Sequence, residues 1–417
     1  MRANWRPVLH GDEAAEALAV ARDVAAAIEP LIDTCDDASV AGGASGHAVL
    51  ATYLDRALPE NGYDRMADRW LARAATLLRR QRMDSGMFSG FPGVVWTISH
   101  LDAMRNPDAR DRGAAIDDAL GVFLERSPWT GCHDLVSGLA GLGVYAAERA
   151  ARPTAARCAS SIVARLDETA ERRDGGITWH TPPRLLPPNQ RELVAEGYYN
   201  LGVAHGIPGI IAALATLWAA GVDRECTRFL LDGAVAWLLS MPWADGNAAA
   251  FPAWVPVVDG APRHDVPPAR LAWCYGDLGV AAALLVAARA VGEGAWEHAA
   301  LCIARRAAAR PQNESGVADA ALCHGAAGVG HVFNRLYQAT GDESLGAAAR
   351  MWIRRALDMR EPRCGVAGYR AYAGADDSWK DDAGFLTGAG GIALALAAAA
   401  TEIEPAWDRV LLLSSQA

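Results

Sequence analysis

A short glycine pattern occurs seven times in this chain and constrains its fold more than any other feature. Each copy reads Gly-x-x-Gly and is followed at once by an apolar stretch of helical length. The first glycines stand at positions 43, 90, 138, 206, 276, 325 and 388, so the steps between copies are 47, 48, 68, 70, 49 and 63 residues. One Gly-x-x-Gly carries no information, but seven copies that each open an apolar helix predict a repeat architecture.

A second, amphipathic helix is expected after each apolar one. Met66–Arg80, Cys226–Ser240 and Ser344–Met359 carry charge on one face, and Glu13–Glu29 adds such a helix before the first repeat. A helix that is apolar nearly all round must be wrapped by others. We therefore predict an all-α fold, with residues 1–417 forming a single domain of two concentric rings of seven helices, a double seven-helix barrel. A superhelical solenoid is the alternative, but the last repeat is as apolar as the middle ones, whereas a solenoid needs polar caps.

Three of the steps exceed 50 residues because they carry inserts, at about 171–204, 241–273 and 360–387. Their proline content excludes continuous helix and predicts loops or short strands. Each insert precedes a Gly-x-x-Gly, so all three are expected at the same end of the ring. Inserts gathered at one end of a repeat ring usually mark its working face.

Composition excludes several classes of protein. Thirty-nine Lys plus Arg against 49 Asp plus Glu give a net charge of −10, which argues against nucleic-acid binding. The apolar runs are far shorter than the roughly 20 residues that span a bilayer, and the amino terminus lacks the apolar stretch of a signal peptide. Eight cysteines in 417 residues are too few for a secreted disulfide scaffold. We expect a cytoplasmic protein that is not integral to a membrane and that keeps its thiols reduced.

Reactive residues stand just before the first glycine in four of the repeats. Counted back from that glycine, Asp134 is at −4 in the third repeat, His205 at −1 in the fourth and Cys274 at −2 in the fifth. Cys323 and His324 are at −2 and −1 in the sixth. If all inner helices begin at one end, these side chains converge on one mouth of the ring although they lie up to 190 residues apart.

Two thiolates and an imidazole suit a zinc ion, which prefers tetrahedral nitrogen and sulfur ligands and keeps one position open at catalytic sites. Taken alone, a buried cysteine such as Cys274 is more often a small core residue than a metal ligand. A second adjacent pair, Cys132 and His133, lies five to six residues ahead of its Gly-x-x-Gly and out of register. We interpret that pair as structural, and packing or surface exposure is the interpretation for the other cysteines and histidines.

The motifs around these residues carry a family resemblance. VAHGIPG (203–209), WCYGDLG (273–279) and LCHGAAG (322–328), in this order, resemble the lanthionine synthetase C-like family, the cyclases of lanthipeptide biosynthesis. The resemblance covers essentially the whole chain and implies an (α/α) toroid, in agreement with the double ring. One departure is Leu278, where the family often has proline.

The resemblance implies a set of site residues. Three positions match the zinc ligands of the family: Cys274, Cys323 and His324. Four more match its catalytic positions: His205, Asp134, Arg270 and Tyr275. His205 is the acid/base candidate, and Asp134 either orients His205 or accepts the thiol proton. Arg270 is expected to hydrogen-bond an enolate oxygen and Tyr275 to donate a hydrogen bond at the rim.

The implied activity is a zinc-dependent peptide cyclisation in antibiotic biosynthesis. Cysteine thiols of a dehydrated precursor peptide add to dehydroalanine or dehydrobutyrine and form (methyl)lanthionine thioether rings. A partner dehydratase is expected to make the alkene, and an exporter is a further expected partner. The alternative is a non-catalytic relative that binds a thiol such as glutathione. Two other toroidal classes fit less well. Prenyltransferase β-subunits bind zinc through Asp, Cys and His, and the two-cysteine pattern here argues against them. A toroidal glycosidase needs paired carboxylates at the mouth, and only Asp134 is in register.

Overall fold

The computed structural model describes residues 5–59, 61–105, 111, 113–242, 250–374 and 378–414. Its α-helices are numbered α1 to α15 in chain order. Seven apolar helices follow the glycine motifs: α2 (Ala44–Ala57), α4 (Phe91–Arg105), α6 (Leu139–Glu148), α9 (Ile207–Ala219), α11 (Asp277–Val291), α13 (Ala326–Thr340) and α15 (Ala389–Ala400). Seven others alternate with them: α1 (Gly11–Ile28), α3 (Tyr63–Arg80), α5 (Ala114–Leu124), α7 (Pro153–Thr169), α10 (Arg224–Leu239), α12 (Gly294–Ala309) and α14 (Glu343–Asp358).

The apolar helices form a closed inner ring. Each of them packs against the next apolar helix along the chain, and α15 packs back against α2. Six of the alternating helices cover an inner neighbour from outside: α1 on α15, α3 on α2, α7 on α6, α10 on α9, α12 on α11 and α14 on α13. The remaining one, α5, packs against its outer neighbour α7. The predicted toroid of two concentric rings of seven helices is confirmed, and an open solenoid is excluded because the ring closes.

A belt of backbone hydrogen bonds links the seven loops that lead into the inner helices. Every bond joins neighbouring repeats, and every acceptor is the carbonyl at position −2 from the first glycine. Six donors occupy the same position and one stands at −3. The bonds run Ala41→Phe88, Met87→Val136, Val136→Ala204, Ala204→Cys274, Cys274→Cys323, Cys323→Leu386 and Leu386→Ala41. The last bond returns to the first residue, so the belt closes around one mouth of the toroid.

Both glycines of each motif are needed because the backbone passes close to itself there. A Cβ atom on the second glycine would lie 1.8–2.4 Å from the carbonyl oxygen six residues earlier, in all seven repeats. Real Cβ atoms never approach so closely. The motif therefore lets each loop fold back onto the first turn of its inner helix.

The loops also share a side-chain turn at position −6. In five repeats an Asp or Asn there accepts the backbone N–H two residues further on: Asp37, Asp84, Asn200, Asp319 and Asp382. Such Asx turns stabilise a loop locally. The third and fifth repeats depart from this pattern, with Cys132 and Arg270 at position −6.

The inserts contribute short strands and one short helix, α8 (Pro188–Leu193). The strands are β1 (Glu171–Arg173), β2 (Gly176–Thr178), β3 (Tyr198–Asn200), β4 (Trp254–Val258), β5 (Ala261–Pro262), β6 (Ala371–Tyr372) and β7 (Trp379–Lys380). Antiparallel pairing of β3 with β4 joins the first insert to the second, with Tyr199 opposite Val255. Strands β1 and β2 form one hairpin, and β6 and β7 form another. Residues 243–249 and 375–377 of the second and third inserts lie outside the described part.

Four 3₁₀ helices complete the described elements: Glu29–Asp33, Pro183–Leu185, Gln312–Glu314 and Ala406–Leu411. The last of these lies inside the inner ring. Its Arg409 contacts Glu148 at the end of α6, while Asp408 contacts His331 of α13, on the opposite side of the ring. The chain itself therefore occupies the space between these two opposite inner helices. Among the described residues, none of the helices combines the length and the apolar character that a membrane span needs.

Candidate metal centre and acid/base pair

Three potential metal ligands meet at the mouth of the toroid. One ligand atom each from Cys274, Cys323 and His324 lies within 4.8 Å of the other two, and in the described part of the chain no other group of this kind was found. Both cysteines occupy position −2 of adjacent repeats, and the N–H of Cys274 donates to the Cys323 carbonyl at 3.4 Å. The belt thus sets the two sulfur atoms side by side.

The two thiols share one negative charge unequally. A hydrogen bond from the Cys323 thiol lowers the pKa of Cys274 despite burial, and His324 and the Arg270 charge lower it further. The same hydrogen bond raises the pKa of Cys323 well above its usual value, and burial adds to that rise. A second thiolate is thus unfavourable unless a cation joins the pair. Two sulfurs and an imidazole within bonding reach of one point are a donor set that fits Zn²⁺.

A buried carboxylate stands behind the imidazole of His324. Asp319 is 3% exposed, and its Oδ2 lies 4.0 Å from Nε2 of His324. The same Oδ2 accepts the backbone N–H of Tyr372 in the third insert, while Oδ1 accepts that of Ala321. Asp319 therefore connects its own loop, the β6–β7 hairpin and the surroundings of His324.

Next to this cluster, His205 is paired with a carboxylate from the previous repeat. Its Nδ1 lies 2.8 Å from Oδ2 of Asp134, whose Oδ1 accepts the backbone N–H of Ser137 at 2.7 Å. Burial would lower the pKa of His205, but the hydrogen bond and charge of Asp134 outweigh burial and the pKa is raised. The His205 side chain is still 39% exposed, so a substrate at the mouth can reach it. The pair can hold and release a proton near neutral pH.

Tyr275 and Arg270 flank these groups. The Tyr275 ring lies 6.4 Å from the His205 ring, nearly parallel to it, and 6.4 Å from the Trp254 ring. Burial raises the pKa of Tyr275, which keeps its hydroxyl protonated as a hydrogen-bond donor. Arg270 is exposed, and its positive charge acts on both thiols.

A pocket of about 230 Å³ opens beside the acid/base pair. Its wall contains Asp134, His205 and Tyr275, together with residues of the first insert. Cys132 and His133, whose spacing from the glycine motif predicts a structural pair, also line this pocket. Burial lowers the pKa of His133 to about 4, so its imidazole is neutral at pH 7. The signal that sequence reasoning missed is Cys132 at position −6, where five other repeats carry the Asx-turn residue.

The closed double ring and the thiol–imidazole cluster at its mouth define the class: an (α/α) toroid with a candidate metal centre. Residues 34–412 match the family model described as "Lanthionine synthetase C-like protein". The chain belongs to this family, as its motifs predicted.

Comparison with solved structures agrees with the fold. Nisin cyclase superimposes with a TM-score of 0.74 at 17% identity, over 93% of this chain and 96% of that chain. Such low identity shows the shared fold alone. An inactive variant of an α-1,6-mannanase from Salegentibacter sp., in complex with α-1,6-mannotriose, gives a TM-score of 0.49 at 11% identity, over 93% of this chain and 100% of that chain, and carries no argument. No curated protein matches the sequence significantly.

Proposed function

We propose that this protein is a zinc-dependent lanthipeptide cyclase. It would add cysteine thiols of a dehydrated precursor peptide to dehydroalanine or dehydrobutyrine and so form (methyl)lanthionine rings. The observation that carries the proposal is that a Cys–Cys–His cluster for a thiol nucleophile and a His–Asp pair for a proton lie in adjoining loops at one mouth of the ring. Ala204, which precedes His205, donates its N–H to the Cys274 carbonyl, and the Cys274 charge acts on His205. Membership of the family supports the proposal.

Cys274, Cys323 and His324 are the residues that would hold the metal. A zinc ion held by these residues would supply the acidity that converts a thiol of ordinary pKa, about 8.5, into the more nucleophilic thiolate. The two protein sulfurs offset the charge of the ion. Arg270, whose charge already acts on both sulfurs, is placed to attract an anionic group at the same spot.

The other residues handle the charge and the proton of the addition. The thiol gives up its proton to solvent, a carbon–sulfur bond forms at the β-carbon and the π electrons of the alkene move to the carbonyl oxygen. The α-carbon then takes a proton that the donor regains from solvent, so that the mass is unchanged. His205 is the donor of that proton, and Arg270 stabilises the enolate oxygen. Both oxygens of Asp134 are already engaged, which favours the orienting role for Asp134. Tyr275 donates a hydrogen bond at the rim.

The decisive experiment uses a dehydrated cysteine-containing peptide and the zinc-loaded full-length protein. Free thiols should disappear without a change in peptide mass. His324→Ala should lose metal and ring formation together, whereas His205→Ala should keep the metal and lose most of the rate. A His205→Ala protein that cyclises at the wild-type rate contradicts the acid/base assignment. Thiol binding without any ring in the wild type supports the non-catalytic alternative.

Two further expectations belong to this proposal. The alkene must be made before cyclisation, so we expect a dehydratase as a partner and an exporter for the product. We also expect a cytoplasmic location, because reduced thiols are needed both in the metal cluster and in the peptide.

A further inference from the structure

The pocket beside the acid/base pair offers a binding site that the chemistry of ring closure does not itself require. Its wall includes His205, Asp134 and Tyr275 but none of the three candidate metal ligands. The pocket therefore adjoins the point where the proton is delivered rather than the point where the thiol is held. Whatever fills it must belong to the alkene side of the peptide.

The roof of this pocket is a preformed part of the first insert. Leu186, Val194 and Tyr198 form a small hydrophobic core of their own, against which Trp254 of the second insert packs. The Tyr198 and Trp254 rings stack 5.4 Å apart, and the Tyr198 hydroxyl donates to Oε1 of Gln190 at 3.0 Å. The insert thus builds one side of the pocket, and the loops of the repeats build the other.

Size and charge indicate what the pocket can hold. A cavity of about 150 Å³ is enough for benzene, so this pocket, at about 230 Å³, has room for a phenyl group. Neither Lys nor Arg is among its described lining residues, His133 is neutral, and Asp134 is a carboxylate. Among the described lining residues the cationic group is His205, whose charge is already paired with Asp134 at 2.8 Å, so an acidic side chain would lose its hydration without gaining a free cation. An uncharged side chain instead meets Leu185, Pro187 and the Tyr198 ring.

We propose that this pocket binds the side chain of the residue adjacent to the dehydroamino acid and selects uncharged side chains up to the size of phenylalanine. The inference rests on the proposed function, because it takes the proton-delivery side as the alkene side. A methyl group on the alkene is too small to account for such a volume. The first insert is accordingly the element that sets which residue can flank a ring-forming alkene.

Leu185 allows the pocket to be changed without touching the proposed catalytic residues. It is half-buried, lines the pocket and is not part of the small core of the insert. Leu185→Trp should narrow the pocket, and Leu185→Ala should widen it. Leu193 is 74% exposed on the same insert and does not line the pocket, so Leu193→Trp is the matched control.

The test measures binding and ring formation separately. Synthetic peptides contain one dehydroalanine with Ala on both sides, or with Phe or Glu at one neighbour. Binding to the zinc-loaded protein is measured by fluorescence anisotropy on unreactive versions that carry Ser in place of Cys. At one of the two positions that flank the dehydroalanine, the Phe peptide should bind about tenfold more tightly than the Ala peptide. The Glu peptide should bind more weakly than the Ala peptide.

Leu185→Trp should abolish the advantage of the Phe peptide over the Ala peptide, whereas Leu185→Ala and Leu193→Trp should retain that advantage. The proposal is overturned if Phe gives no advantage in the wild type, or if Leu185→Trp weakens both peptides equally. Ring formation, followed as thiol loss on the Cys peptides, is an independent result. Selective binding without rings would overturn the proposed function alone, and rings without selective binding would overturn the pocket assignment alone.

Discussion

At the scale of single residues, the state of His205 depends on one carboxylate. Asp134 contacts Nδ1 of His205 at 2.8 Å, and the His205 side chain remains partly exposed. Because the pKa of His205 is raised in the folded protein, the stability gained from the pair is fully present below the unfolded pKa, about 6.5. That stability is lost as the pH rises through the higher folded value. Proton donation by His205 should end over the same range.

Asp134→Asn should therefore lower the pKa of His205 and shift the alkaline limb of the pH–rate profile to lower pH. The cause is the loss of the carboxylate charge while burial, which lowers the pKa, remains. The measurement is an NMR titration of the His205 imidazole, assigned by comparison with His205→Ala. Ser137→Ala retains the backbone N–H that Asp134 accepts and should leave the titration unchanged. An unshifted pKa in Asp134→Asn would show that the pair does not control this proton.

Asp319 offers a second prediction at this scale. Its buried carboxylate lies 4.0 Å from His324, and carboxylates near a ligating imidazole hold the ring in its binding orientation. Asp319→Asn should weaken zinc affinity by about tenfold, measured by competition with a chromophoric chelator. Asp382 occupies the same position in the seventh repeat and makes the same turn away from the metal ligands, so Asp382→Asn is the control. Equal losses in both variants would mean that the effect comes from the loop and not from the carboxylate behind His324.

At the scale of elements, a side chain at the second glycine of each motif would collide with a backbone carbonyl oxygen, which cannot move aside as the end of a side chain can. A Cβ at Gly391 would lie 1.9 Å from the Phe385 carbonyl oxygen. Gly391→Ala should lower the free energy of unfolding by about 2–3 kcal/mol, since helix α15 must move away from its loop. Gly294, also at the start of a helix, has nothing within 4 Å of its Cβ position.

Gly294→Ala is the matched substitution and should be neutral or slightly stabilising, because alanine favours helix more than glycine does. Urea denaturation of both variants, read by circular dichroism, measures the difference. A tolerated Gly391→Ala would show that the loops can separate from the inner helices without cost, and that the motif is not what closes the ring.

The same scale separates what the sequence could predict from what it could not. The fourteen ring helices follow from glycine spacing and apolar periodicity, which are local properties of the chain. The convergence of Cys274, Cys323 and His324 could be predicted because these residues stand at equivalent positions before their glycine motifs. The belt of backbone hydrogen bonds places those positions side by side. The pairing of β3 with β4 was not predictable, since it joins two irregular inserts whose contacts depend on the finished ring. The Asx turns at position −6 are visible in the sequence as a repeated Asp or Asn, but the backbone N–H that each of them accepts is fixed only in the folded loop.

At the scale of the whole molecule, the carboxyl-terminal 3₁₀ helix joins opposite walls of the toroid and reaches the floor of the site. The carbonyl oxygen of Leu411 accepts the indole N–H of Trp273 at 2.9 Å, and Trp273 directly precedes Cys274. Trp407 stacks on His331, 4.6 Å away, and meets the Phe385 ring edge-on. Nothing in the repeat pattern indicates this segment, because it belongs to no repeat. The carboxyl-terminal 3₁₀ helix thus contacts both the inner ring and the loop that carries Cys274.

Asp408 is the charged anchor of that segment. It is fully buried and accepts hydrogen bonds from His331 and Arg335. Burial would raise the pKa of Asp408, but Arg335 and His331 lower it to about 2. The folded pKa is thus below the unfolded value of about 3.9, so the stability from this pair is present above pH 4 and is lost as the pH falls toward 2.

Asp408→Asn should cost about 3 kcal/mol at neutral pH, because the largely buried Arg335 side chain loses its buried counter-charge and keeps only the exposed Glu404 carboxylate at 3.4 Å. The variant should also lose the part of the acid sensitivity that lies between pH 4 and 2. Thermal unfolding across this pH range measures both effects. Asp265→Asn removes the ion pair with Arg263, whose side chains are 64% and 59% exposed, and should leave the midpoint nearly unchanged because solvent screens such a pair. Equal unfolding midpoints for the two variants would mean that the contacts of Asp408 do not stabilise the ring.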